Sequence, residues 1–236
     1  MINNYYRVEQ TQNIFEQGQV LLINKPLEWT SFDVVRKIRS LIRIKKVGHA
    51  GTLDPLATGL LILCTGKFTK RINEYMSQEK EYTGSFTLGA TTPTYDLESD
   101  PGNFKNFDQI TEAQIHAVAA QFTGDIMQVP PAHSAIKKDG MRVYELARRG
   151  EVVELEPRPV RIKEFVLEKI ELPVIHFRVV CTTGTYIRSL AHDVGAALGC
   201  GAYLSSLCRT RIGSFSIREA MNMEEAEKFI RAALPV

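Results

Sequence analysis

The chain has 236 residues, 44% of them hydrophobic and 24% charged, and a net charge of +2. That is enough for one large domain or two small ones with a substantial core, in a composition ordinary for a soluble globular protein. There is no run of eighteen apolar residues and no apolar stretch in the polar start Met1–Gln19, which excludes a membrane-spanning helix and argues against a secretory leader.

In chain order, Val20–Asn24 reads as a buried strand. Ser31 is placed to cap a helix running to about Arg43, with Val34, Val35, Ile38, Leu41 and Ile42 on one stripe and the cations opposite. A glycine-rich loop follows, then the apolar run Leu60–Leu63, and Phe68–Met76 reads as helical. From Tyr82 the chain alternates: Tyr82, Gly84, Phe86 and Leu88 share one face of a half-buried strand. Thr91–Asp108, with Pro93, Pro101 and Gly102, is a long loop. Thr111 and Gln114 make a capping box that opens a helix to about Phe122. Pro130-Pro131 breaks the chain, and Met141–Arg149 reads as helical. Val160–Leu172 and Val174–Thr182 read as strands around Pro173. Gly184-Thr185 opens a helix with Gly199 past its end, Leu204–Arg218 is mixed, and Met223–Leu234 is a terminal amphipathic helix. Strands and helices mix without a βαβ rhythm, so the expected class is α+β; with no linker or repeat, residues 1–236 are expected to form one domain.

Charge is unevenly distributed. Arg36, Lys37, Arg39, Arg43, Lys45 and Lys46 fall within eleven residues that contain no acid. A second cluster is Lys137, Lys138, Arg142, Arg148 and Arg149, and a third is Arg209 and Arg211. Such patches on a near-neutral chain fit a polyanion-binding face, against the plainer reading of solvated helix surfaces. Cys64, Cys181, Cys200 and Cys208 form no C-x-x-C pair and no Cys/His ligand spacing. No metal site is expected, and the cysteines read as reduced, buried residues of a cytoplasmic protein. Gly66-Lys67 resembles the end of a P-loop, but Leu61 stands where the first glycine belongs and Phe68 where Ser or Thr belongs. With no G-x-G-x-x-G either, no nucleotide cofactor is expected.

The segment Lys46–Leu60 holds one carboxylate, one histidine and three glycines. Asp54-Pro55 marks a turn, where an aspartate often only closes an Asx bond. Framed by Gly48-His49 and Gly51, Asp54 is instead a candidate nucleophile that can attack a sugar C1′. A retaining glycosidase needs a second carboxylate, and no comparable loop supplies one. His49 is either a hydrogen-bonded structural residue or a side chain that inserts into a nucleic acid. Tyr82 is a core residue by default, with a hydroxyl that needs a partner. Arg188, after Gly184-Thr185-Tyr186-Ile187, is either a surface arginine or the partner that keeps Asp54 ionised and oriented.

These motifs resemble the bacterial tRNA pseudouridine-55 synthases of the TruB type. The resemblance runs from Val20 to about Ser216. It is carried by Ile23-Asn24-Lys25-Pro26, by Gly48–Gly59, by Lys80-Glu81-Tyr82, by Pro131–Lys137, by Gly184–Arg188 and by Leu207–Thr210. It implies a mixed, mostly antiparallel sheet flanked by helices, with a cleft across it. It also implies isomerisation of one uridine in the TΨC arm of tRNA to pseudouridine, without cofactor or metal. Apart from the resemblance, the protein is expected to act in the cytoplasm as a monomer. By the same resemblance Asp54 is the catalytic aspartate, Arg188 its partner, and His49 the side chain that enters the space left by the flipped base. Tyr82 and Tyr186 contact the flipped uridine, Leu207 lines the uracil pocket, and Lys25 supports the catalytic loop. Arg39, Arg43 and Lys46 are the expected contacts to the RNA backbone. Glu28 departs from the family's pattern, taking a position that usually holds glycine, which bears on the loop before Thr30. A C-terminal RNA-binding domain of the PUA type, common in the family, is not expected here, so affinity is expected to rest on the basic face. The residues leave open whether Asp54 forms a covalent ester or promotes a glycal route. The rival readings are a non-catalytic RNA-folding module and a glycosidase.

Overall fold

The computed structural model describes residues 13–132, 134, 137–138, 141–142 and 155–234. Its strands are β1 (Val20–Lys25), β2 (Val47–His49), β3 (Ala57–Thr65), β4 (Lys80–Leu88), β5 (Gly124–Gln128), β6 (Lys137–Lys138), β7 (Met141–Arg142), β8 (Arg158–Glu171), β9 (Val174–Cys181), β10 (Ala202–Ile212) and β11 (Phe215–Ser216). Its α-helices are α1 (Ile14–Gln17), α2 (Ser31–Ile42), α3 (Ile72–Met76), α4 (Glu112–Gln121), α5 (Ile187–Ala197) and α6 (Met223–Ala233).

Nine strands form one sheet in the order β1-β3-β10-β4-β9-β8-β5, with β2 on β3 and β11 on β10. Among the strands of this sheet in the described residues, β3 and β10 pair parallel and the other strand pairs are antiparallel. The fold is therefore α+β around a mixed, mostly antiparallel sheet. β3 is covered on both faces, which is why it reads as an unbroken apolar run. Leu61 and Leu63 pack with Val34 and Ile38 of α2 and Ile230 of α6, while Leu60 and Ile62 pack with Tyr75 and Ile212. Across the sheet, Leu190 and Val194 of α5 and Ile115 of α4 close over Phe86, Phe177 and Val179.

Four expectations need correction. The cap of α2 is Thr30, in a reciprocal box with Asp33, and not Ser31. The Ser31 hydroxyl instead accepts from the Leu53 N–H (2.9 Å) and donates to the Leu53 carbonyl (3.2 Å), tying the first turn of α2 to the residue before Asp54. The region read as mixed contains β10, a strand between β3 and β4. Register shifts between Leu204 and Ser206 and between Arg209 and Arg211 break its alternation, so its period is not visible in sequence. Met141–Arg142 is a short strand rather than a helix start, and 143–149 lie outside the described residues. Finally, α5 begins at Ile187, after Gly184 at φ +87°, a backbone angle that no right-handed helix contains.

Candidate active site

The Asp54 loop lies between β2 and β3, held by two buried cations. Lys25, fully buried at the end of β1, donates to the carbonyls of Pro26 (2.9 Å), Trp29 and Pro55 (3.2 Å). Burial lowers its pKa to about 8, against the pull of Asp54 and Asp33. Arg209, 1% exposed in β10, donates to the carbonyls of Leu60 (2.8 Å), Gly51 (3.1 Å) and Thr52 (3.5 Å). The two strands approach so closely that a Cβ on Gly59 would lie 2.4 Å from the Arg209 carbonyl oxygen, at φ +105°. Only glycine fits there. Glu28 takes φ +64°, the left-handed conformation that favours the glycine it replaces, and its N–H donates to the Pro55 carbonyl (2.9 Å).

Arg188 is 4% exposed and is no surface residue. Its Nε lies 3.0 Å from Asp54 Oδ2, and its Nη2 donates to Asp54 Oδ1 at 3.3 Å, a two-point contact. Its Nη1 donates to the Thr94 carbonyl (3.2 Å), and its Nε also lies 3.7 Å from the carboxylate of Asp96. The Asp54 carboxyl is held above its ordinary pKa, first by burial and also by Asp96, while Arg188 and Lys25 oppose the shift.

Asp54, Tyr82, Tyr186, Arg188 and Leu207 line one cavity of about 310 Å³, with Lys80 and Arg209 on its wall. The volume suits a small planar ring. Tyr82 is buried, and its phenol pKa is raised by burial, with the Arg209 guanidinium opposing. Tyr186 caps α5; its N–H donates to Gln128 Oε1 (2.8 Å) and its carbonyl accepts from Gln128 Nε2 (3.0 Å), so β5 fixes its place. His49 ends β2 and does not line the cavity; burial lowers its pKa, and its Nδ1 has no hydrogen-bond partner among the described residues. Lys25 sits behind the loop rather than in the cavity.

The basic face is divided. Arg43, Lys45 and Lys46 are exposed. Arg39 is half-buried, donates to the Val47 carbonyl (2.8 Å) and lies over the Phe32 ring. Arg36 pairs with Asp33 (2.7 Å) and Lys37 with Glu227 (2.9 Å). The Gly66 N–H donates to the Lys46 carbonyl (2.8 Å), which joins the start of the segment carrying exposed Lys67 and Lys70 to Lys46. The sequence singles out neither Thr94 nor Asp96; Lys80 and Arg209 stand in motifs that carry the resemblance, but no role in the site is assigned to either.

Residues 39–187 match the family model described as TruB family pseudouridylate synthase (N terminal domain), and residues 188–233 match the tRNA pseudouridylate synthase B C-terminal domain. The chain is 51% identical over 228 residues to the tRNA pseudouridine synthase B of Flavobacterium johnsoniae, covering 94% of this chain and 100% of that one. It is 50% identical over 222 residues to the protein of the same name from Parabacteroides distasonis, covering 92% and 94%. Among solved structures it resembles a chain of a Cbf5-Nop10-Gar1 complex, with TM-score 0.71, 30% identity and coverage of 91% of this chain and 55% of that one. It also resembles a chain of an H/ACA RNP bound to a substrate RNA containing 2′-deoxyuridine, with TM-score 0.69, 28% identity and coverage of 92% and 54%. The chain spans about half the length of these two structural relatives. With the family models covering most of its length and a relative half identical to it throughout, the chain belongs to the TruB family of pseudouridylate synthases.

Proposed function

We propose that this enzyme isomerises uridine 55 in the TΨC arm of tRNA to pseudouridine, with Asp54 as the reacting carboxylate. The observation that carries the reading is the Arg188–Asp54 pair in a cavity lined by Tyr82, Tyr186 and Leu207. The target base is stacked in a folded loop, so it must be flipped out, at a cost of about a few kcal/mol. Tyr186 and Tyr82 offer ring surfaces to the flipped uracil, and Leu207 offers an apolar wall. Asp54, ionised and aimed by Arg188, acts at the ribose and breaks the N1–C1′ bond, either by direct attack on C1′ or through a glycal. The freed uracil turns within the cavity; C5 attacks C1′ as the ester bond to Asp54 breaks, or as the glycal regains its C2′ proton; the proton on C5 then passes to solvent and N1 takes up one proton. Substrate and product are isomers, so no redox partner or group donor enters the balance.

Exposed Arg43 and Lys46, extended by Lys67 and Lys70, are the proposed phosphate contacts. Arg39 supports them by holding β2 to α2. His49, at the end of β2, is proposed to enter the space the base vacates. The chain is proposed to act as one catalytic unit and as a monomer in the cytoplasm. β10, from the part matched by the C-terminal family model, lies between β3 and β4 of the other part, which favours a single unit. A glycosidase is disfavoured because Asp54 is the one carboxylate among the described residues lining the cavity; Asp96, 3.7 Å from the Arg188 Nε, does not line it. The test is tritium release from tRNA carrying [5-³H]uridine, with modified positions mapped in the product. Release confined to position 55 supports the proposal; release elsewhere, or none, rejects it.

A further inference from the structure

Arg188 aims Asp54, and two further contacts of its guanidinium, to the Thr94 carbonyl and the Asp96 carboxylate, come from one three-residue segment. That segment lies within a stretch between β4 and α4 that has no helix and no regular strand. The residue between the two contacts is Tyr95. It takes φ +65°, a left-handed conformation that a bulky side chain rarely adopts and that glycine would take freely. Its ring stacks on His192, with centroids 3.9 Å apart and planes 15° from parallel. His192 is one helical turn beyond Arg188 on α5, so the two side chains rise from the same face. The His192 Nδ1 is buried with no hydrogen-bond partner among the described residues, so stacking rather than a polar contact from that nitrogen holds the pair. The Tyr95 carbonyl accepts from the Leu204 N–H (2.8 Å), which ties the same residue to β10. The left-handed turn thus seats the ring against α5 while Thr94 and Asp96 on either side of it meet Arg188.

We propose that Tyr95 and His192 are positioning residues: their stack clamps the 94–96 segment to α5 and so sets the geometry of Arg188 on Asp54. This rests on the reading of Asp54 and Arg188 as the reacting pair. It assigns an aromatic pair outside the cavity to the rate of the chemical step rather than to RNA binding.

Two readouts on the full chain test it. The first is single-turnover isomerisation of a TΨC stem-loop, with affinity measured in parallel. Tyr95→Ala and His192→Ala should each slow the rate at least tenfold and change affinity less than twofold. Tyr95→Phe and His192→Phe, which keep a stacking ring, should stay near the wild-type rate. The double alanine variant should be no slower than the worse single one, because either substitution alone already abolishes the stack. The second readout needs no RNA: the titration of the Asp54 carboxyl followed by ¹³C NMR. Arg188 from α5, Asp96 from the loop and Lys25 from β1 all face that carboxyl, and Arg188 has the largest influence of the three. A loosened Arg188 should therefore move the Asp54 titration upward in Tyr95→Ala and leave it in place in Tyr95→Phe. Should Tyr95→Ala not fold, His192→Ala carries both readouts. An unchanged rate and titration in a folded alanine variant would overturn the clamp, as would equal losses in rate and affinity. If the wild-type protein leaves the stem-loop unmodified, the functional reading fails while the NMR titration still decides the clamp.

Discussion

Arg188 offers the sharpest perturbation of the site. Replacing it by lysine keeps the charge and loses the fork. The guanidinium reaches both Asp54 oxygens, at 3.0 and 3.3 Å, and the Thr94 carbonyl at 3.2 Å. Charge-assisted hydrogen bonds of this kind contribute about 1.5–3 kcal/mol each. An ammonium can re-form one, and Asp54, 36% exposed, can recruit water for another. The net loss for Arg188→Lys is about 2 kcal/mol, or a rate lowered roughly thirtyfold. Arg188→Met leaves Asp54 and buried Asp96 without their shared cation. Breaking a buried pair costs about 3–5 kcal/mol, and the exposure of Asp54 places this case at the lower end, or about two orders of magnitude in rate. With Arg188 gone the Asp54 pKa rises further, because the largest opposing influence on it is removed. The acid limb of the rate profile then moves to higher pH. The assay is single-turnover tritium release across pH, with stem-loop affinity measured alongside. Equal losses of rate and affinity would make Arg188 a phosphate anchor and refute its pairing with Asp54.

Lys80 is 6% exposed, and burial lowers its pKa to about 8 from 10.5. Below pH 8 it is charged in both folded and unfolded chains; between pH 8 and 10.5 the unfolded chain binds the extra proton, so folding stability rises with pH across that window. Urea unfolding should show this rise, on the order of 2–3 kcal/mol, diminished in Lys80→Met; identical pH slopes would contradict it. Glu28→Gly relieves the left-handed backbone by about 1–2 kcal/mol against an unfolded-state cost of about 0.4–1, so a net gain of about 0.5 kcal/mol is expected by denaturation, and Glu28→Ala should gain nothing. Neutralising Arg43 and Lys46 should flatten the dependence of log affinity on log salt by about one unit for each phosphate left without its cation. Neutralising Arg36 and Lys37, already paired with Asp33 and Glu227, should leave that slope in place; the opposite pattern would move the RNA face.

Local signals carried well from sequence to structure. The apolar stripe of α2, the Thr111–Gln114 box and the two strands around Pro173 are each written within a dozen or so residues, and each is where its period predicts. What stayed hidden depends on distant partners. β10 has bulges that erase its alternation, and its place between β3 and β4 is set by pairings more than a hundred residues away. Thr30 and Ser31 are both good caps; Thr30 has Asp33 three residues on to close its box, and the hydroxyl of Ser31 is taken by distant Leu53. Arg209 and Asp96 looked like ordinary charges because the carbonyls of one and the guanidinium met by the other come from remote segments. Glu28 is the instructive departure: the absent glycine was visible, and Glu28 takes a left-handed conformation that glycine would adopt freely.

The most direct measurement is the rate of tritium release from [5-³H]uridine tRNA by Asp54→Asn, with tRNA affinity determined on the same preparation. The substitution keeps the size and the contact to Arg188 and removes the ionisable carboxylate. The expected result is release at background with affinity within about twofold of wild type, since the proposed phosphate contacts lie elsewhere on the surface. Release near the wild-type rate would contradict the role of Asp54 and take the chemistry away from this loop.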